Sequence, residues 1–226
     1  MALKFSTTDR VSQRNGIKIL VYGQAGMGKT VLCSTAPGPI ILSAEGGALS
    51  LRKLQIPLIE IADVQDLQDA HSWLLQSAEA RQFQTVCVDS ISEVAEVVLN
   101  NAKRQVKDPR QAYGELIDKM EMVIREYRDL PGRNVYMSAK IESIKDEMTG
   151  VVKYGPSMPG SKLGLKLPYF FDEVFRLGIN KTPQGEAYRF LQTQPDLQYE
   201  AKDRSGALAN VEPPDLAHIF RKILTI

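Results

Sequence analysis

An eight-residue segment constrains this chain more than any other feature of the sequence. Residues 23–30 read GQAGMGKT and match the pattern G-x-x-x-x-G-K-[ST] at every fixed position. An apolar run at residues 17–22 precedes the segment and a helical stretch follows it, as in a strand–loop–helix unit. Its glycines let successive backbone N–H groups face a polyanion, to which the helix presents its positive end. An ordinary glycine turn is the alternative, but this context favours a loop that binds phosphate groups.

The side chains at the end of this segment, which we call the phosphate loop, add two functions. Lys29 is long enough to reach the β- and γ-phosphates of a nucleotide, and the Thr30 hydroxyl is a suitable ligand for Mg²⁺. The sequence therefore predicts a bound nucleoside triphosphate with Mg²⁺. The predicted nucleotide-binding residues are Gly23, Gln24, Ala25, Gly26, Met27, Gly28, Lys29 and Thr30.

Apolar runs and helical patterns alternate along the chain. Short runs rich in β-branched residues predict strands covered on both faces, and a period near 3.6 residues predicts helices between them. This alternation predicts an α/β fold with a mostly parallel central sheet flanked by helices and antiparallel strands near the C-terminus. The predicted strands are residues 17–22, 39–43, 57–61, 85–89, 134–139, 173–179 and 187–194, with a hairpin around Thr149-Gly150. The predicted helices are residues 66–77, 92–106, 111–130 and 215–224.

Composition limits the partners and the compartment. The 28 Lys and Arg residues nearly balance the 27 Asp and Glu residues, for a net charge of +1, so any site for a polyanion must be local. Cys33 and Cys87 lie in apolar runs without metal-ligand spacing, which favours a reducing compartment. No apolar run is long enough for a membrane helix or a signal core. We expect one domain over residues 1–226, with an N-terminal extension at residues 1–14, in the cytoplasm.

Two acidic residues follow predicted strands at the edge where the phosphates should lie. Asp89 ends the strand at residues 85–89 and would hold Mg²⁺ beside the phosphates, although on its own it would be a helix cap. Hydrolysis also needs a group that orients or deprotonates water, and Glu45 follows the strand at residues 39–43. The alternative for Glu45 is a solvent-exposed acid in the turn SAEGG.

The phosphate loop, Glu45 and Asp89, in this order, resemble the RecA-type ATPase core rather than kinases or small GTPases. In RecA-like proteins the strand after the phosphate-loop helix ends in the catalytic glutamate, and Glu45 matches that place. Asp89 matches the metal-binding aspartate. Ser138 and Lys140, in the run NVYMSAK, match the place of a polar sensor of the γ-phosphate.

A later segment resembles a pair of cations that hexameric helicases and RadA-like proteins insert into a neighbouring subunit's nucleotide site. Lys202 and Arg204, in the run KDRSG, match this pair. Two cations near the γ-phosphate would neutralise charge that develops during transfer. The resemblance therefore implies catalytic roles for Lys202 and Arg204 in a homo-oligomeric ring or filament, with a solvated charged turn as the alternative.

The whole-chain pattern is similar to phage-encoded ATP-binding proteins, the minimal RecA-core single-strand annealing proteins of the Sak-four group. This resemblance implies binding of ATP and single-stranded DNA, and annealing or recombination in an infected bacterial host alongside a single-strand binding protein. It covers about residues 15–224. The fragments that carry it are VYGQAGMGKT, LSAEGG, VCVDSISE, MSAK, LPYFFDEVFRL and AKDRSG.

Two stretches are candidates for contact with single-stranded DNA, because cations and an aromatic ring suit phosphate contacts and base stacking. Solvated charges are the alternative for both. The first stretch contains Lys103, Arg104, Lys107 and Arg110, and the second contains Lys145, Lys153, Tyr154, Lys162 and Lys166.

Two other classes of protein remain open on the sequence. A nucleotide or small-molecule kinase would share the phosphate loop, but the region at residues 140–166 offers lysines and no arginine for a lid. A nucleotide switch or motor accessory without DNA activity would also share the loop.

Overall fold

The computed structural model describes residue 7 and residues 15–145 and 150–225. The expected N-terminal extension at residues 1–14 therefore lies almost entirely outside the described residues. The expected turn at Thr149-Gly150 lies partly outside them.

The described residues form ten strands that join in one sheet, in the order β10-β8-β7-β1-β5-β4-β2-β3. Strands β3, β2, β4, β5, β1 and β7 run parallel to one another, whereas β8, β9 and β10 pair antiparallel near the C-terminus and β6 pairs antiparallel with β5. The predicted fold class is confirmed. The strands are β1 (Lys18–Tyr22), β2 (Pro39–Ser43), β3 (Leu58–Glu60), β4 (Thr85–Asp89), β5 (Asn134–Lys145), β6 (Val152–Ser157), β7 (Glu173–Lys181), β8 (Ala187–Gln192), β9 (Lys202–Asp203) and β10 (Val211–Glu212).

Helices cover both faces of the sheet, so successive residues of the central strands pack into different apolar clusters. The helices are α1 (Lys29–Cys33), α2 (Val64–Gln76), α3 (Ile91–Gln105), α4 (Pro109–Arg128), α5 (Ser161–Lys166) and α6 (Leu216–Leu224). In β1, Leu20 and Tyr22 belong to the cluster under α2, α3 and α4, whereas Ile19 and Val21 belong to the cluster under α1 and α6. Three 3₁₀ turns occupy Leu49–Leu51, Glu79–Gln82 and Leu167–Phe170.

Two local expectations need correction. Helix α2 begins after Asp63, whose carboxylate accepts a hydrogen bond from the Asp66 N–H, while the Asp66 carboxylate reaches back to the Asp63 N–H. This capping box starts the helix at Val64, two residues earlier than predicted. Strand β5 continues past the predicted end at Ala139 to Lys145, because its second half pairs with β6 as a hairpin beyond the parallel sheet.

The strand order determines which side chains can meet at the carboxyl edge of the sheet. β5 lies between β1 and β4, with Ala139 beside Tyr22 and Met137 beside Val88. The residues that follow these pairs therefore lie next to the phosphate loop and next to Asp89. The predicted site residues of three strands come together in this way.

Candidate nucleotide-binding site

A cleft of about 1110 Å³ opens at the carboxyl edge of the parallel strands, over the phosphate loop. All eight residues of the loop line it, which agrees with the predicted position of the nucleotide. The other lining residues are Val31, Leu32, Ala44, Glu45, Ser50, Glu93, Lys140, Ile141, Leu177, Arg189 and Pro214.

Two glycines of the phosphate loop are required by its geometry. Gly28 has φ of 99°, in the left-handed region, and its carbonyl accepts the first helical hydrogen bond from Leu32. Gly23 lies so close to β7 that a Cβ atom there would be 2.9 Å from the Leu177 carbonyl oxygen. The sequence pattern therefore follows from backbone conformation at one glycine and from close packing at the other.

Lys29 is folded back over the loop. Its ammonium donates hydrogen bonds to the carbonyl oxygens of Gly23, at 2.9 Å, and Gln24, at 3.0 Å. Burial lowers the pKa of Lys29, an effect opposed by the carboxylates of Glu45 and Asp89. A cation is thus held in the loop, close to both predicted acidic residues.

Thr30 and Asp89 meet as predicted. The Thr30 hydroxyl donates to Asp89 Oδ2 at 2.6 Å, across the start of α1 and the end of β4. A hydroxyl and a carboxylate at this separation suit a hard cation such as Mg²⁺, which usually keeps water and substrate phosphates as further ligands. Within residues 15–145 and 150–225, no group of three His, Cys, Asp or Glu side chains could hold a metal ion by itself. A cation here would accordingly need the phosphates of the nucleotide as ligands.

Ser138 contacts a different partner from the one expected for a γ-phosphate sensor. It is fully buried, does not line the cleft, and donates its hydroxyl to Asp89 Oδ1 at 2.5 Å. Both oxygens of Asp89 are therefore held, one by Thr30 and the other by Ser138. Ser138 therefore fixes the orientation of Asp89, whereas Lys140 lines the cleft.

Charged side chains form the rim of the cleft opposite the loop. Glu45 is exposed and lines the cleft, as its predicted role requires. Lys140 forms an ion pair with Glu93, which raises the pKa of Lys140. Glu93 was not predicted from the sequence. The sequence does place Glu93 three residues after Ser90, which is the spacing of a capping box at the start of a helix. The Ser90 hydroxyl caps α3 by accepting a hydrogen bond from the Glu93 N–H.

The start of α1 is supported from below by buried residues. The Tyr136 hydroxyl donates to the Lys29 carbonyl oxygen at 2.9 Å, and Tyr136 is fully buried. Cys33 and Cys87 are buried thiols on the same face of the sheet and are not disulfide-bonded. The floor of the site is thus a packed apolar layer that fixes the helix carrying Lys29 and Thr30.

A comparison with protein-family models matches residues 15–205 to the AAA domain. This chain belongs to the AAA domain family. The matched region of the AAA domain contains the phosphate loop, Glu45, Asp89 and the rest of the cleft rim up to Arg189. Family membership and the assembled cleft support nucleotide binding by a P-loop in an α/β fold.

Two of the solved structures that are similar to this AAA domain come from archaea. A KaiC-like protein from Pyrococcus horikoshii is 13% identical, with a TM-score of 0.44, over 78% of this chain and 77% of that one. The flagellar accessory protein FlaH from Methanocaldococcus jannaschii is 11% identical, with a TM-score of 0.46, over 88% of this chain and 84% of that one. A search of curated proteins found no match. Among the described residues, no helix is both long and apolar enough to cross a membrane.

Lys202 and Arg204 of the AAA domain lie at the opposite edge of the sheet from the cleft. β9 pairs with the first residues of β7, which lie beside the start of β1, whereas the phosphate loop follows its end. The Lys202 ammonium donates to the carbonyl oxygens of Pro168 and Phe171, and Arg204 pairs with Asp172 at 3.0 Å. Neither cation lines its own cleft, so their predicted catalytic role requires a neighbouring subunit and remains a prediction.

A buried carboxyl group lies beside this pair in the AAA domain. Glu173 is only 1% exposed, and its Oε2 has no hydrogen-bond partner among the described residues. Burial, reinforced by the negative charge of Asp203, raises the pKa of Glu173 from 4.5 to about 8. At neutral pH the folded protein therefore holds a proton that the unfolded chain would release.

We expect Glu173→Gln to stabilise the fold at alkaline pH and to reduce its pH dependence. The raised pKa makes the free energy of unfolding fall as the pH rises from about 4.5 to about 8, because only the folded state keeps the proton there. At about 1.4 kcal/mol for each unit of pKa shift, the shift from 4.5 to about 8 corresponds to a gain of about 5 kcal/mol above this range. Urea unfolding of both proteins at about pH 5.5 and about pH 8.5 measures this change in the free energy of unfolding. Glu186→Gln, on the surface, is the control, and an unchanged pH dependence would show that Glu173 is ionised in the fold.

Proposed function

We propose that this protein is an ATP-hydrolysing RecA-like protein that binds single-stranded DNA and promotes annealing or recombination in phage DNA metabolism. The observation that carries the ATPase part is that Lys29, Thr30 and Glu45 line one cleft and that Thr30 is hydrogen-bonded to Asp89 beneath it. Lys29 and Thr30 begin α1, Glu45 follows β2, and Asp89 ends β4. Because these side chains meet at one edge of the sheet, they can act together on one bound nucleotide.

In the proposed reaction the phosphate loop holds the triphosphate through its N–H groups and the Lys29 ammonium. Thr30 and Asp89 would hold Mg²⁺, which when bound neutralises charge on the β- and γ-phosphates. Ser138 keeps the Asp89 carboxylate in position through its hydrogen bond to Oδ1. Glu45 orients the attacking water and accepts its proton from the exposed side of the cleft.

Lys140 is the residue proposed to sense the γ-phosphate. It lines the cleft and is paired with Glu93, which also lines it. An incoming γ-phosphate carries more negative charge than a carboxylate and offers oxygen acceptors to the same ammonium. The proposal is that Lys140 exchanges Glu93 for the phosphate when ATP is bound.

The proposed assembly is a homo-oligomeric ring or filament. Its support is the separation of Lys202 and Arg204 from their own cleft, since cations at the opposite edge of the sheet can serve only the site of another copy. Arg204 is exposed and available at a surface, whereas Lys202 is half-buried and fixes the turn. A single-strand binding protein is a further proposed partner.

The DNA-binding part of the proposal rests on a basic surface where α3 passes into α4. The Lys103 ammonium lies over the Tyr113 ring, 5.7 Å from its centroid, and this ring is 40% exposed. Exposed cations beside an aromatic face suit the backbone and the bases of a single strand. This basic surface consists of Lys103, Arg104, Lys107, Arg110 and Tyr113, all exposed.

Contacts connect the basic surface to the cleft. A Cβ atom at Gly160 would lie 3.5 Å from the Tyr113 ring, so the loop after β6 adjoins the surface. Ser92 then joins that region to the rim, because its hydroxyl donates to the Ser157 carbonyl at 2.7 Å and accepts the Lys140 N–H at 2.9 Å. Tyr154, considered above for base stacking, is instead half-buried and stacked on Tyr199, with ring centroids 5.1 Å apart.

A gel-shift titration with single- and double-stranded oligonucleotides, with and without ATP and Mg²⁺, tests the proposal directly. We expect the triple change of Lys103, Arg104 and Lys107 to alanine to weaken binding of single-stranded DNA by about tenfold or more. It should also reduce the slope of log K against log salt by roughly 2, since about 0.7 is lost with each phosphate contact.

The matched control removes the same charge elsewhere, from the exposed cations Lys53, Lys181 and Arg221. Equal losses in both triple variants would show that only net charge matters. Wild-type protein that shifts neither oligonucleotide, with or without ATP, would contradict the DNA-binding part of the proposal and leave the ATPase part standing.

A further inference from the structure

Arg189 is a cation of the cleft that the P-loop pattern does not account for. It lies on β8, where its register partner on β7 is Ile179. Because β7 pairs with β1 only as far as Tyr22–Arg176, the β7–β8 hairpin continues beyond the end of β1 and alongside the phosphate loop. Arg189 consequently overhangs the loop from the same chain.

The Arg189 side chain approaches the loop closely. A Cβ atom built on Gly28 would be 3.7 Å from Arg189 Nε and 3.8 Å from its Cδ, while the Val31 Cβ is 3.9 Å from the same point. The guanidinium thus faces the junction between the loop and α1, where free N–H groups of the helix start would meet phosphate oxygens.

The position of Arg189 distinguishes the two ends of a bound triphosphate. Thr30, Asp89 and Glu45 lie toward β4 and β2, and a cation held there bridges the β- and γ-phosphates, which marks the γ-phosphate end. Arg189 comes from the other side of β1, through β7 and β8. It therefore flanks the phosphate chain toward the ribose.

The charge of Arg189 is available to a ligand. The residue is exposed, and within residues 15–145 and 150–225 no carboxylate pairs with it. A guanidinium offers two parallel N–H groups, the geometry that phosphate oxygens bind best. Lys29, by comparison, is already directed at the loop carbonyls.

We infer that Arg189 binds the α-phosphate of the nucleotide in its own subunit and so positions ATP and ADP alike in the cleft. The inference rests on the proposed nucleotide site and adds a residue to it. It also gives two cations different roles. Arg189 acts on nucleotide bound by the same chain, whereas Arg204 would act on nucleotide bound by a neighbouring subunit. Arg189 is thus a binding determinant that does not depend on assembly.

Calorimetric titration of ATP and ADP, each with Mg²⁺, into wild type, Arg189→Ala, Arg189→Lys and Arg221→Ala tests this inference. We expect Arg189→Ala to weaken the binding of ATP and of ADP by about tenfold each, because both nucleotides carry the α-phosphate. Arg189→Lys should recover most of the loss, and Arg221→Ala, an exposed arginine that does not line the cleft, should show none. The melting temperature without nucleotide should be the same in all four proteins.

Three outcomes would count against this role. Unchanged affinities in Arg189→Ala would remove Arg189 from the site. A loss confined to ATP would place it at the γ-phosphate instead, and an equal loss in Arg189→Lys would indicate stacking of the guanidinium on the base. Wild-type protein that binds neither nucleotide would overturn the proposed function itself, a result distinct from these three.

Discussion

A mixture of Arg204→Ala and Lys29→Ala proteins should hydrolyse ATP at a rate that neither protein reaches alone. The Lys29→Ala chain loses the cation that holds the phosphates but keeps Arg204 at its opposite edge. The Arg204→Ala chain keeps a complete cleft and lacks the donated arginine. If the site is finished by a neighbour, each variant alone should lose about three or more powers of ten in turnover, and contact between the two should restore part of it.

The measurement is steady-state phosphate release at a fixed total concentration of protein, with the ratio of the two variants scanned. Arg221→Ala is the matched control for loss of a surface arginine. Mixtures whose rate is only the weighted mean of the two variants would exclude donation by a neighbour. An Arg204→Ala protein with full turnover would assign the KDRSG turn to structure alone, through its pair with Asp172.

Glu45→Gln should abolish turnover while leaving the nucleotide bound. The amide keeps the size of the side chain at the rim but cannot accept a proton, so hydrolysis should fall by about two to four powers of ten. Affinity for ATP should stay within a few-fold of wild type, because the phosphates are held by the loop and Lys29 on the other side of the cleft. Single-turnover hydrolysis together with calorimetric binding separates the two effects.

Glu60→Gln is the control for this change, since Glu60 is exposed at the end of β3, beside Ser43 of β2. Undiminished turnover in Glu45→Gln would show that another acidic residue of the rim, and not Glu45, is the base. Glu93 would then be the next candidate, because it lines the same cleft.

The sequence was most informative where chemistry and backbone geometry are encoded locally. The phosphate loop needs glycine at positions that only glycine can occupy, and its pattern predicts the cleft directly. Apolar runs predicted β1, β2 and β4 almost to the residue, since buried parallel strands lack an alternating pattern. The meeting of Thr30 and Asp89 followed from the rule that parallel strands end at a common edge.

Contacts that depend on pairing between distant segments could not be predicted in this way. Ser138 contacts Asp89 because β5 lies beside β4, an order that periodicity does not contain. Arg189 enters the cleft because the β7–β8 hairpin extends beyond β1, which depends on the register of both strands. Strand β5 continues to Lys145 because its second half pairs with β6, whereas the sequence predicted the hairpin in this region but not its continuity with the strand that ends at Ala139.

The placement of the cleft and of Arg204 at opposite edges would give each subunit of the proposed assembly a head and a tail. A dimer with a twofold axis would need the cleft and Arg204 within one interface, since each would contact its counterpart across the axis, and the two lie at opposite edges of the sheet. An open chain of subunits would always contain one terminal site without a donor, so activity per subunit would rise as the chain lengthens. A closed ring would have no terminal site, and its activity per subunit would be constant once the ring has formed.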